Sequence, residues 1–197
     1  KPVIVLNKID IVDEFRDDFA PALENFHRIY EGAGYSILEV SAKTGRGVDE
    51  LRRLCLEKSE DGAPGISLFS GVSGVGKSSL IKAMDPSLNP KTGLISEAHL
   101  QGRHTTTFYE MYPLCGGEGC IIDTPGIRGF GLVDLEPEEI SLYFPEMLKA
   151  ASGCRFIFCD GAKGGCAVKV AVDEGTISRE RYASYLGMLE EYTKYRK

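Results

Sequence analysis

The chain has 197 residues, 43% of them hydrophobic and 26% charged, with a formal charge of -6; this is the balance of a folded domain plus a small appendage, and it excludes a protein that coats nucleic acid with its whole surface. No run approaches the roughly 18 apolar residues of a membrane helix, and the N-terminus lacks the basic and apolar regions of a secretion signal, so no membrane partner and a cytoplasmic location are expected. Three of the six cysteines crowd together at Cys154, Cys159 and Cys166, which suits a reducing compartment with a metal site better than a disulfide framework.

In chain order, Val3-Ile4-Val5-Leu6 is a β-branched apolar run ended by a polar loop, the pattern of a buried parallel strand. It starts two residues from the terminus, so either the fold begins on a core strand or an upstream domain is missing. After the loop Asn7-Lys8-Ile9-Asp10, the residues Phe15, Phe19, Leu23, Phe26 and Tyr30 recur at steps of three and four and predict one amphipathic helix with its aromatics in the core. GYSILEV (34–40) predicts a strand, SAKTG (41–45) a loop, and Val48, Leu51, Leu54 and Cys55 a second helix. ISLFS (66–70) is the next strand and runs into GVSGVGKSS (71–79) and a helix. FYEMYPL (108–114) and GCIID (119–123) are two further strands around the turn CGGEG, and from Leu135 the signals are helical, interrupted by the cysteine-rich stretch. The alternation implies an α/β fold: a mostly parallel sheet with helices on both faces over residues 1–134, then a small, mainly helical domain over 135–197. Residues 154–197 carry eight Lys or Arg against six Asp or Glu, which reads as a solvated helix face.

Gly71-Val72-Ser73-Gly74-Val75-Gly76-Lys77-Ser78 matches G-x-x-x-x-G-K-[ST] between a strand and a helix. Its glycines let backbone N–H groups face phosphates, the helix N-terminus adds partial positive charge, Lys77 reaches the β- and γ-phosphates, and Ser78 offers a hydroxyl to Mg²⁺. Asp123 to Gly126, DTPG, ends a strand where the Asp123 carboxylate can hold Mg²⁺ and the Gly126 amide can face the γ-phosphate. Asp10 is suited to accept from guanine N1–H and the N2 amino group, Asn7 to meet the purine edge and brace the phosphate loop, and the stem of Lys8 to cover the base. In Ser41-Ala42-Lys43 the Ala42 N–H would face guanine O6. Adenine offers neither of the donors that Asp10 needs, and such unmet groups discriminate by roughly 10⁴ to 10⁵.

The base-reading loops precede the phosphate loop, the reverse of the usual GTPase order. A bound nucleotide sees only where loops meet, so a cut and rejoin at surface loops preserves the site; the order predicts a circular permutation. It also puts the γ-phosphate-sensing loops just upstream of the C-terminal appendage, where a change in their order could move it.

With NKID, SAKTG, GVSGVGKSS, GRHTTT (102–107), IDTPG and the tail segments GCRFIFC, GCAVKVAV and RYASYL, the chain resembles the ribosome small subunit-dependent GTPase A family over essentially its full length. The resemblance implies an upstream OB-fold domain, a permuted GTPase domain using GTP/GDP and Mg²⁺, and a C-terminal zinc-binding domain, working in late maturation of the 30S subunit; a monomer is expected. The partner would be the small ribosomal subunit, its 16S rRNA and proteins, met largely through the OB-fold. Within GRHTTT one threonine is expected to close over Mg²⁺ and the γ-phosphate, Thr106 with Thr105 as rival, so that Mg²⁺ is held by Ser78, Thr106 and Asp123. His104 is a candidate catalytic or RNA-sensing residue beside Lys77, the alternative being a solvent-exposed loop histidine. Ile127 follows DTPG where a Ras-like GTPase carries a water-orienting glutamine, so free hydrolysis should be slow and dependent on the subunit.

The tail departs from the family pattern Cys-x4-Cys-x-His-x5-Cys. Cys154, Cys159 and Cys166 are present, but Gly161 stands where the histidine belongs and the interval before Cys166 is one residue short; His27, His99 and His104 belong to other segments. Zn²⁺ bound by three thiolates, a ligand from elsewhere, and three ordinary cysteines all stay open. Two activities compete: a GTP-hydrolysing ribosome-assembly factor, and a guanine-nucleotide-gated binding module with little useful turnover. An ATPase is disfavoured by Asp10 and the SAK loop.

Overall fold

The computed structural model describes residues 1–90, 109–126, 136–152 and 166–195. Their contacts form two compact units: one of Val5–Arg16 and Leu38–Phe130, the other of Lys1–Ile4, Asp17–Ile37 and Gly131–Lys197. The strands are β1 (Val3–Leu6), β2 (Ser36–Glu39), β3 (Gly65–Phe69), β4 (Glu110–Leu114) and β5 (Gly119–Asp123). The helices are α1 (Ile9–Glu14), α2 (Arg16–Gly32), α3 (Val48–Cys55), α4 (Lys77–Met84), α5 (Pro137–Ile140), α6 (Pro145–Ala151), α7 (Ala167–Asp173) and α8 (Arg179–Tyr195).

The single, mostly parallel sheet expected from the sequence is corrected on two counts. Among the described residues β1 pairs with β2 alone, and a separate three-stranded sheet has the order β3-β5-β4. That sheet is mixed: β5 is parallel to β3 but antiparallel to β4, which precedes it directly in the chain. The short turn Cys115–Gly117 leaves β4 and β5 no room for a parallel crossover. Helices α3 and α4 pack on one face, over a core that includes Val40, Leu51, Ile81, Met84, Leu114 and Ile121. The opposite face was expected to be covered too; instead Ile66 and Leu68 of β3 are 66% and 63% exposed, and Met111 of β4 is exposed as well.

The predicted aromatic helix is two helices. Phe15 ends α1 with non-helical dihedrals, so the stripe breaks there, and Phe15 and Phe19 are exposed rather than core. The stripe holds further on, where Phe26 stacks on Tyr30 at 4.4 Å and Ile29 is buried. In this unit the C-terminal helices close over Ile140, Phe144, Met147, Val168, Val172 and Tyr185, with Tyr182 and Leu186 packed against them. Glu136 and Glu139 cap α5 reciprocally. Arg181 of α8 donates to both carboxylate oxygens of Glu146 on α6 at 2.6 and 3.2 Å, with side chains only 12% and 8% exposed, and its guanidinium lies over Phe144, Tyr35 and Tyr30.

Candidate functional site

The phosphate loop folds as its glycines require. Strand β3 ends at Phe69, the chain turns through Gly71 to Gly76, and α4 starts at Lys77. Gly76 has φ +96, and a Cβ there would meet the Asn7 amide nitrogen at 2.3 Å, so this position needs glycine for both backbone and space. Lys77 Nζ donates to the carbonyls of Gly71 at 2.8 Å and Val72 at 3.3 Å, which curls the loop around its ammonium. Burial pushes the Lys77 ammonium below its ordinary value, opposed by the charge of Asp123.

The loop Asp123 to Gly126 is pressed against the loop Gly71 to Ser78. A Cβ on Gly126 would meet Ser73 Cα at 2.8 Å, and the Thr124 hydroxyl donates to Phe69 O at 2.8 Å. Asp123 is 1% exposed and accepts from Ser78 Oγ at 3.0 Å. A hydroxyl and a carboxylate at the mouth of a phosphate loop are hard oxygen donors of the kind Mg²⁺ takes, so these residues fit that ion. Across the sheet, Glu110 is the register partner of Asp123 and accepts from the Tyr112 hydroxyl. Burial first, then that hydrogen bond, raises the Tyr112 pKa well above the ordinary phenol range.

The loops expected to read the base, far earlier in the chain, directly meet the loop expected to hold phosphate. Asn7 Nδ2 donates to Val75 O at 2.9 Å, and Lys8 Nζ donates to Gly74 O at 2.8 Å, across 68 and 66 residues of sequence. Lys8 has φ +70, a left-handed conformation that a side chain adopts at a cost of about 1–2 kcal/mol. Asn7 Oδ1 accepts from Ala42 N–H at 3.2 Å, so the amide expected to face guanine O6 is engaged within the loop and must share or release that long bond to reach a base. Ser41, fully buried, donates to Asp10 Oδ1 at 2.6 Å, and Lys43 Nζ lies 3.7 Å from Asp10 Oδ2. The Ser41 hydroxyl holds the Asp10 carboxyl below its ordinary range against a smaller opposing effect of burial, with Lys43 adding to the lowering.

The structure therefore gathers Asn7, Lys8, Asp10, Ser41, Ala42, Lys43, Gly71 to Ser78, Asp123 and Gly126 around linked loops. Thr105, Thr106, His104 and Ile127 lie outside the described residues. So do Cys154, Cys159 and Gly161; Cys166 is buried at the start of α7, and among the described residues no group of three or more His, Cys, Asp or Glu could hold a metal. Two residues were not foreseen. Thr124 sits inside the DTPG motif, where its small hydroxyl between carboxylate and proline was the available signal. Arg46 follows SAKTG directly and forms ion pairs with Asp13 and Glu39.

Residues 1–133 match the family model described as RsgA GTPase. The small ribosomal subunit biogenesis GTPase RsgA of Bacteroides fragilis is 48% identical over 196 residues, covering 98% of this chain and 60% of its own length. Its counterpart in Flavobacterium johnsoniae is 46% identical over 189 residues, covering 95% and 55%. The crystal structure of YjeQ from Thermotoga maritima is similar with a TM-score of 0.75 and 35% identity, over 98% of this chain and 60% of that one. YloQ, described as a circularly permuted GTPase, has a TM-score of 0.71 at 24% identity, over 100% and 58%, a likeness of fold. The chain spans about 60% of the length of the curated relatives it matches. Its loop order and its fold are those of a circularly permuted GTPase, and the chain belongs to the RsgA GTPase family.

Proposed function

We propose that this chain binds guanine nucleotides and hydrolyses GTP to GDP and phosphate as part of a factor in late maturation of the small ribosomal subunit. The observation that carries this is the direct bonding of the base-reading loop to the phosphate loop, Asn7 to Val75 and Lys8 to Gly74, which makes one site of two distant segments. Asp10 accepts from guanine N1–H and N2, Lys8 covers the base, and Lys77 exchanges its loop carbonyls for the β- and γ-phosphate oxygens. Ser78 and Asp123 would hold Mg²⁺, which would supply neutralisation of the charge that develops on those oxygens. Thr106 as the closing threonine and His104 near the chemistry rest on the family resemblance.

The division into a GTPase domain over 1–134 and an appended helical domain over 135–197 belongs to the same proposal, as do contact with 16S rRNA through an OB-fold domain, a monomeric state and a cytoplasmic location. The relatives named for small-subunit biogenesis support the assignment of both segments to one such factor, because their likeness runs through both. Zinc is proposed as a weak occupant of Cys154, Cys159 and Cys166.

The second reading, a nucleotide-gated binding module, is favoured by Ile127 at the place of the water-orienting glutamine. Multiple-turnover phosphate release from the full-length protein, with and without mature 30S subunits, separates the two. Stimulation by the subunits supports the GTPase; a slow rate that the subunits leave unchanged supports the module.

A further inference from the structure

Helix α1, Ile9–Glu14, carries Asp10 but has only six residues, far below the roughly 12–15 that hold an isolated helix together, so tertiary ties fix its position. Asp10 and Asp13 lie one turn apart on the same face. The loop after β2 grips that face twice: Ser41 Oγ donates to Asp10 Oδ1 at 2.6 Å, and Arg46 Nη1 donates to Asp13 Oδ2 at 2.6 Å. The other arm of the guanidinium, Nη2, donates to Glu39 Oε2 on β2 at 3.0 Å. The two grips are mechanically one, because the intervening turn is closed by Ser41 N–H to Arg46 O and Gly45 N–H to Ser41 O, both at 2.9 Å.

We infer that Arg46 is a positioning residue for guanine recognition, clamping the loop that carries Ser41 and Ala42 to the helix that carries Asp10. The inference rests on the base-reading role proposed for Asp10. A planar fork shared by two carboxylates on different elements is a network rather than an isolated surface pair, and a single lysine ammonium cannot reproduce it. The three side chains are between a quarter and a half exposed, so the clamp is open to screening by salt. Loosening it lets Asp10 drift from the N2 amino group of guanine, a group that hypoxanthine lacks.

The test follows dissociation of fluorescent GDP and IDP from the full-length protein carrying Arg46→Gln, Arg46→Lys or Asp10→Asn. At low salt Arg46→Gln speeds GDP release about three- to tenfold, the size expected when two partly exposed ion pairs are lost together, and Arg46→Lys is intermediate. The acceleration is larger for GDP than for IDP, and in about 1 M salt, where the screening length falls to about 3 Å, parent and variant converge. A change below about threefold in GDP release, equal acceleration for GDP and IDP, or a loss that persists undiminished at high salt overturns the inference. If Asp10→Asn leaves GDP binding intact, the base-reading role itself fails and this inference with it; if Asp10→Asn weakens binding while Arg46→Gln does not, only the clamp fails.

Discussion

Replacing Asp10 with asparagine tests base recognition most directly, and the geometry fixes which way the new amide points. Ser41 Oγ donates to Asp10 Oδ1 at 2.6 Å, so the introduced asparagine keeps its carbonyl oxygen on that side and turns its NH₂ to the position of Oδ2. A donor then faces one of the two guanine donors. One hydrogen bond to a charged group is lost, about 1.5–3 kcal/mol, and the other falls from charge-assisted to neutral, about 1 kcal/mol more. The sum, about 2.5–4 kcal/mol, corresponds to roughly 60- to 700-fold weaker GDP binding. Xanthine presents an acceptor where guanine presents its N2 amino group, so XDP should bind the variant better than GDP does. Titration of both nucleotides against parent and variant measures the exchange. GDP affinity within a few-fold of the parent, or no gain for XDP, would refute the base-reading geometry.

Gly76→Ala places a Cβ against the Asn7 amide and forces a left-handed alanine; about 1–2 kcal/mol of backbone strain plus the lost Asn7–Val75 bond should weaken GDP binding by at least tenfold, checked by the same titration. Glu146→Gln leaves the Arg181 charge in an apolar setting, a loss approaching the 3–5 kcal/mol typical of broken buried pairs, and should lower the melting temperature by several degrees in thermal unfolding. Because the Asp10 carboxyl sits below its ordinary value of 3.8, its contribution to stability is complete above that value and is lost as pH falls through the lower folded value; in parent and Asp10→Asn, unfolding between pH 5 and 8 should therefore show the same pH slope. Metal analysis of protein purified without chelator should find zinc sub-stoichiometric or easily removed, since structural zinc normally takes four protein ligands; one tightly held ion per chain would show a fourth ligand that Gly161 cannot supply.

The loops expected to hold the nucleotide meet in space, and each motif carries its own stereochemistry: a glycine at Gly76, where a Cβ would press on the Asn7 amide, and a carboxylate at Asp123 beside the Ser78 hydroxyl. Their mutual bonding was only partly legible, since no periodicity links Lys8 to Gly74. The sheet was read too simply. Val3 to Leu6 and Ile66 to Ser70 both read as strands, but a strand pattern cannot say which strand lies beside which, and the described β1 and β3 belong to different sheets. Phe15 and Phe19 show the same limit: helical spacing gives a face, while the break at Phe15 decides where that face ends. Arg46 was missed because arginine after a glycine turn is common on surfaces, and only the fold brings Asp13 and Glu39 within its reach.

The bonds from Asn7 to Val75 and from Lys8 to Gly74 also bear on how the protein is made. Translation delivers the base-reading loops first, and their own contacts, Asp10 with Ser41 and Asn7 with Ala42, span only 31 and 35 residues, so they can close early. At about 5–20 residues per second, the carbonyl that Asn7 awaits is synthesised about 3–14 s after Asn7 itself. During that interval the nascent chain has a guanine-reading half without a phosphate-binding half, and no nucleotide can hold the two together. On the proposed reading, the complete site therefore exists only once the segment through Asp123 has left the ribosome.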